Sequence, residues 1–222
     1  MLYTCAGPEI AVASTKAYTT QLAVFYLLTA RMAYVRGTFT VEETKAFLKE
    51  LESVPEVMEQ VLENKRDIHV VARKVLEAKD LFMIGRGMDH AILLEGSLKL
   101  KEVSYIHSEA YASGELKHGP IALITQDTPV VAAVTQGRLK TKELSNIREV
   151  ESRGADVVLF IKRELAEGVD QNYQMIMLPD MDDRFMVFPA SVALQLLAYY
   201  VSLDKGFDVD KPRNLAKVVT VE

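Results

Sequence analysis

Hydrophobic and polar positions change rhythm twice along this chain. From Lys16 to Arg36, KAYTTQLAVFYLLTARMAYVR is apolar around much of a helical circumference, and Gly37 ends it. Ser14 or Thr15 is placed to cap its start. A helix this apolar requires cover on several sides, and no segment of the chain obviously supplies it. Residues 40–79 keep the helical period but carry charges throughout. Thr40 and Glu43 form a capping box at the start of TVEETKAFLKELESV, and Pro55 reads as the first turn of a further helix. Those charges read as solvated faces, and the segment as a connector.

From residue 80 the pattern alternates between strand and helix. DLFMIGRG, TPVVAAVTQG, ADVVLFIKR and NYQMIMLP are short apolar runs closed by turn residues or charges. Between and after them, HAILLEGSLKLKEVSY, LKTKELSNIREVESRG and FPASVALQLLAYYVSLDKG have helical character. This order predicts an α/β fold with an open parallel sheet covered on both faces. One stretch fits neither rhythm. HSEAYASGELKHGP, residues 107–120, has no apolar period and gathers two histidines with several other charges, so it reads as a loop.

Composition narrows the class. The 222 residues are 49% hydrophobic and 26% charged with a net charge of −5, which supplies no basic face for nucleic acid. The single cysteine, Cys5, permits no internal disulfide and favours a reducing, cytoplasmic setting; nothing beside it in sequence would activate the thiol. The uncharged runs 17–30 and 190–203 fall short of the ~20 residues of a membrane span. The start of the chain lacks a signal-peptide pattern.

The candidate chemistry is sparse. MIGRGMDH invites a dinucleotide reading, but His90 stands where the third glycine of that fingerprint belongs, so Gly85 and Gly87 mark only a tight strand-to-helix turn. Glu115 and His118 form a single Glu-x-x-His pair, with His107 and Glu109 nearby; this is too little for a di-metal or zinc site, and no metal or cofactor is expected. Lys99 and Glu102 share a helix face while Leu98, Leu100 and Val103 can serve the core, and Glu95 with Lys99 reads as a surface pair. Lys99–Glu102 is open to two readings, a weak exposed ion pair or a carboxylate base beside a cation. The end of the chain, LAKVVTV, is too apolar for a free tail and is expected to dock with Lys217.

Four segments together, EIAVASTKAYTTQL, GRGMDHAILLEGSLKLKEVSYIHSEAYASGELKHGP, DTPVV and DKPRNLAKVVTVE, resemble the isomerase part of the glutamine–fructose-6-phosphate aminotransferase family. The resemblance covers essentially the whole chain. It implies a sugar isomerase (SIS) domain, a five-stranded parallel sheet flanked by helices. The implied organisation is the end of a first SIS domain at 1–37, a helical linker at 38–79, a second SIS domain at 80–206 and an active-site tail at 207–222. It implies a ketose/aldose isomerisation through a fructosimine, with Glu102 as proton-transfer base, Lys99 assisting it, His118 opening the sugar ring in a neighbouring subunit of a homodimer, and Lys217 contacting the sugar or forming an imine. Val12, Ser14 and Ala216 are the implied sugar contacts. No cofactor, nucleic acid or membrane is implied. The competing expectation is a non-catalytic SIS module that binds a sugar phosphate or serves dimerisation.

The resemblance also implies that the glutaminase domain and the Ser/Thr-rich phosphate loop lie outside these residues. The chain by itself is therefore expected to convert little fructose 6-phosphate to glucose 6-phosphate in a coupled assay. Robust turnover by these 222 residues alone would place the phosphate site within them.

Overall fold

The computed structural model describes residues 2–217. Three helices come first: α1 (Lys16–Val35), α2 (Val41–Glu63) and α3 (Lys65–Lys74). A doubly covered sheet follows, built from β1 (Asp80–Gly85), α4 (Met88–Ser104), β2 (His107–Ala112), β3 (Pro129–Val134), α5 (Lys140–Glu151), β4 (Asp156–Lys162), β5 (Gln174–Leu178) and α6 (Val187–Asp204). The five strands are all parallel in the order β2-β1-β3-β4-β5.

Strand alternation divides the interior into two layers. Leu81 and Met83 of β1 join Ile92, Leu93, Leu100 and the α6 residues Leu194, Leu197 and Val201 in one core. Phe82 and Ile84 point the other way, to Leu116, Ile147 and Val150. The helices α4 and α6 thus cover one face, and α5 with the β2–β3 crossover covers the other.

The stretch 107–120 is not simply a loop. Its first half is the edge strand β2, paired in register with β1 from Asp80↔His107 to Gly85↔Ala112, and Ser113–His118 continues as a 3₁₀ turn. Among the six β2 residues only Ser108 is buried, so the strand is held by backbone pairing and leaves no apolar alternation in the sequence.

Other expectations are revised by packing. Pro55 lies inside α2, not at a helix start; the helix continues to Glu63 with Val54 and Val57 buried on either side of the proline. The Thr40–Glu43 capping box is formed in both directions, at 3.1 and 2.8 Å. Neither Ser14 nor Thr15 caps α1 through its side chain. The carboxylate of Glu9 reaches back instead, accepting from the N–H of Ala17 at 3.0 Å and from the N–H and hydroxyl of Thr15. At 18 residues α6 does reach the length and apolar composition of a membrane span, more than its uncharged run alone indicated; 67% of it is buried inside the fold, as a core helix requires.

One side of α1 is covered. Tyr26 packs among Phe47, Phe185 and Phe188 with ring centroids 5.1–5.9 Å away, and its hydroxyl donates to the Arg184 carbonyl. The opposite stripe, Phe25, Leu28, Met32 and Val35, is exposed.

The helices α4 and α6 approach closely at Gly96. A Cβ there would lie 2.8 Å from Leu194 Cδ1 and 3.1 Å from its Cβ. Gly96→Ala is expected to destabilise the fold by about 1–3 kcal/mol, the range for overpacking. In denaturant titrations Gly96→Ala and Leu194→Ala should be strongly non-additive, because removing the leucine frees the space the new methyl needs. Additive losses would mean that the two helices do not meet there.

Candidate functional site

The closeness of α4 and α6 places Lys99 in the wall between them. Its side chain is only 7% exposed, and its ammonium lies 2.5 Å from Glu102 Oε2 and 3.6 Å from Glu95 Oε1. The exposed-pair reading of this spacing does not hold, and Glu95–Lys99 is not a surface pair. Leu100 and Val103 are buried as expected, whereas Leu98 faces solvent. A buried ammonium is tolerable only with its charge answered, and two carboxylates from its own helix do that. Burial raises the pKa of Glu95 against the pull of Lys99, with the Glu102 charge adding to the rise.

Beside this group opens a cavity of about 220 Å³, lined among others by Ala13, Thr15, Lys99, Gln195, Tyr199 and Asp210. That is smaller than the ~300–1,000 Å³ of a complete small-molecule pocket and matches one end of such a ligand. Its walls are the two ends of the chain with α4 and α6. The N–H of Val12 donates to the Asp210 carbonyl at 3.0 Å. Lys217 Nζ donates to the carbonyls of Ala11 at 3.1 Å and Val12 at 3.2 Å and to Ser14 Oγ at 3.1 Å.

The tail is steered there by Tyr105, the left-handed residue that ends α4 (φ +61). Its hydroxyl accepts from the Arg213 N–H at 2.7 Å, its ring lies 4.1 Å from the Arg213 guanidinium carbon, and Phe207 packs on it. Lys217 is therefore docked, as expected, on the segment carrying Val12 and Ser14. Ala216 is exposed next to it. Residues 218–222 of the expected tail lie outside the described residues.

His118 is not brought into this group. It stands exposed on the crossover that covers the α5 face, 4.0 Å from Glu115, while Lys99 and Glu102 belong to α4 on the other face. The sheet lies between them within one copy of the chain. Among the described residues no three His, Cys, Asp or Glu side chains are grouped to hold a metal ion. His107 bonds to Asp80, its register partner on β1, at 2.9 Å, at the rim of a larger recess of about 430 Å³ at the amino edge of the sheet. Cys5 is exposed.

Gln195 and Asp210 at the cavity were not singled out by sequence reasoning, and Thr15 was read only as a helix cap. For Gln195 a signal existed. Ser191, Gln195, Tyr199 and Ser202 recur at helical spacing through the otherwise apolar α6, a polar stripe that core packing alone does not require.

This geometry belongs to the SIS domain family: the family model for the SIS domain matches residues 74–203, and the chain is a member of that family. Among curated proteins, the chain is 51% identical over its whole length to the glutamine–fructose-6-phosphate aminotransferase [isomerizing] of Clostridium perfringens, of which it covers 37%. It is 52% identical to the enzyme of the same name from Clostridium acetobutylicum, covering 36% of it. The chain thus spans little more than a third of the curated relatives it matches. Among solved structures, it superposes on the C-terminal domain of glucosamine-fructose-6-phosphate aminotransferase from Francisella tularensis with a TM-score of 0.89 and 38% identity, over 92% of this chain and 58% of that one.

At the carboxyl edge of the sheet lies a second buried polar group that does not touch the cavity residues described above. Asp89 accepts from the Thr135 N–H at 2.9 Å, and Glu143 accepts from Ser113 Oγ at 2.7 Å. Burial pushes the pKa of Asp89 up to about 6 and that of Glu143 up to about 7. Because the folded values are raised, the folded state holds these protons more tightly than the unfolded one. Stability is therefore greatest below the unfolded carboxylate values and falls as pH rises toward 7. Glu143→Gln, which keeps an acceptor for Ser113 without the buried charge, should raise stability above pH 7 by ~1–3 kcal/mol and flatten the loss between pH 5 and 7. Unchanged pH dependence in urea titrations of this variant would rule out Glu143 as its source.

Proposed function

We propose that the chain forms the isomerase site of an enzyme that converts fructose 6-phosphate and glutamine-derived ammonia to glucosamine 6-phosphate, a cytoplasmic step of amino-sugar formation. The observation that carries this reading is a buried lysine–carboxylate pair at a cavity of partial-ligand size, with a second lysine docked on the segment 11–14 that supplies Ala11 and Ala13 to that cavity. The identity to the aminotransferases across the whole chain supports it.

In this reading the substrate is the C2 imine of fructose 6-phosphate. Glu102 takes a proton from C1, the C1–H electrons form a C1=C2 bond, and the C=N electrons move to nitrogen, which gains a proton. The enolamine then loses its C1 hydroxyl proton and is protonated at C2, leaving an aldehyde at C1 and an amine at C2. Nothing is oxidised or reduced overall. Lys99, paired with Glu102, offers a positive charge to the electron-rich intermediate. Lys217 can form an imine with the sugar carbonyl before ammonia arrives, or hold its oxygen. Val12 and Ser14 present a carbonyl and a hydroxyl to the sugar, and Ala216 lines it. No step calls for a metal or an organic cofactor.

Opening the sugar ring requires an acid–base group near neutrality, a task suited to histidine. The sheet keeps His118 from Glu102 of its own copy, so the reading assigns it to the site of a partner in a homodimer. We read 1–37 as the end of one SIS unit, 38–79 as a linker, 80–206 as a second SIS unit and 207–222 as the tail that closes the site.

In the complete enzyme containing this chain, Glu102→Gln should lower isomerisation ~10²- to 10⁴-fold, the usual contribution of a general base. His118→Ala should also be impaired. Mixed dimers of the two variants should regain part of the activity, since one of their two sites combines an intact Glu102 with an intact His118. Confirmed mixed dimers that remain as inactive as the parents would sink the shared-site assignment, and an active Glu102→Gln enzyme would sink the base assignment.

A further inference from the structure

The polar stripe of α6 contains one group whose hydrogen bonding is unresolved. Ser191 Oγ donates to the Val187 carbonyl at 2.5 Å, and Ser202 Oγ donates across to the Val103 carbonyl of α4 at 2.8 Å. Tyr199 reaches solvent. Gln195, between them, lines the same cavity as Lys99, and its side-chain Nε2 is buried with no hydrogen-bond partner; among the described residues it is the one buried side-chain nitrogen or oxygen in that condition.

An unpaired buried amide donor is unfavourable by ~1–3 kcal/mol, more than a helix would retain at a position where Leu or Met packs equally well. The surroundings sharpen the point. The α4 residues lining the cavity with it are Lys99 and Val103, and Lys99 is already engaged by Glu95 and Glu102. Of the other cavity residues, Ala11, Ala13, Val103, Ala198 and Val209 offer no side-chain acceptor, and Thr15, Tyr199 and Asp210 make no hydrogen bond to the Gln195 amide nitrogen. The terminal torsion of a glutamine is broad and soft, so a turn of the amide brings its N–H to the cavity without moving the helix.

We infer that Gln195 is a substrate-positioning residue: its amide N–H turns into the cavity and donates to an oxygen of the bound sugar, next to the carbons on which Lys99 and Glu102 act. This inference rests on the proposed isomerase reading. A neutral donor suits this place because a third cation beside Lys99 would weaken the pull of Glu102 on a proton, and a carboxylate would compete for Lys99. It supplies selectivity for a hydroxyl or carbonyl oxygen: a ligand lacking that oxygen leaves the donor unpaired.

The test is a cycle between residue and ligand in the complete enzyme. Gln195→Met keeps length and volume and removes both polar ends; Gln195→Leu is the second variant. Inhibition constants are measured for a series of open-chain hexitol 6-phosphates, each lacking one hydroxyl, against wild type and variants. Wild type should lose ~10-fold or more in affinity for one member of the series, and the same loss should vanish in both variants while the other members keep their ranking. Turnover of fructose 6-phosphate should fall mainly through KM, with the pH profile of kcat unchanged. Uniform weakening toward every member would mark Gln195 as a packing residue and overturn the inference, as would wild-type affinity in the variants. A wild-type enzyme that neither binds the series nor isomerises fructose 6-phosphate would refute the isomerase reading itself.

Discussion

A lysine ammonium shut between two helices is the constraint from which the rest of this molecule follows. Lys99 cannot be left unanswered in a wall that excludes water, so Glu95 and Glu102 flank it one turn before and one turn after. Keeping the wall dry requires α6 to lie close, and the absence of a side chain at Gly96 allows Leu194 to come that near. The apolar character of α6 is the counterpart of that approach. A helix buried on most of its surface has little room for polar groups, which is why the few it carries along one stripe are informative.

The two polar centres of the fold obey different rules. At Lys99, charges of opposite sign face one another and a cavity opens beside them. At the carboxyl edge, Asp89 and Glu143 are held by hydroxyl and backbone donors, with Arg86 3.9 Å from Glu143 as compensating charge, and burial still turns them toward the protonated form. In open α/β sheets the carboxyl edge is the usual place for a ligand. Here the cavity beside Lys99 lies elsewhere, against α4, α6 and the segments near residues 11–15 and 209–210. The fold alone therefore does not locate the site; the side chains do.

Much of the architecture was legible in the sequence because β1, β3 and β4 are buried on both faces and read as unbroken apolar runs, and β5, though an edge strand, is mostly apolar as well. The fifth was hidden. As an edge strand, β2 is specified by backbone pairing to β1, and residues such as Glu109 and Tyr111 carry no alternation to betray it. Pro55 misled for a related reason: a missing N–H on a partly exposed helix does not end it when Val54 and Val57 on either side are anchored in the core. At the site, the three-residue spacing of Lys99 and Glu102 was visible, but their burial was not, since it comes from α6 about a hundred residues later. The docking of Lys217 was foreseeable from the apolar tail; its particular partners were not. Gln195 sat unnoticed in LQLLAYYV because only tertiary contacts reveal which polar groups go unpaired.

The bond from Lys217 to Ser14 joins residues separated by 203 positions and ties together the two segments that flank the cavity. Closing so long a loop is only slightly harder than closing a short one, since each doubling of length costs about 0.6 kcal/mol. Contacts this distant in sequence slow folding, because loop-closure entropy must be met before they contribute. The cavity beside Lys99 thus depends on residues that become neighbours only in the fold, Ala13 and Thr15 from one part of the sequence and Val209 and Asp210 from another.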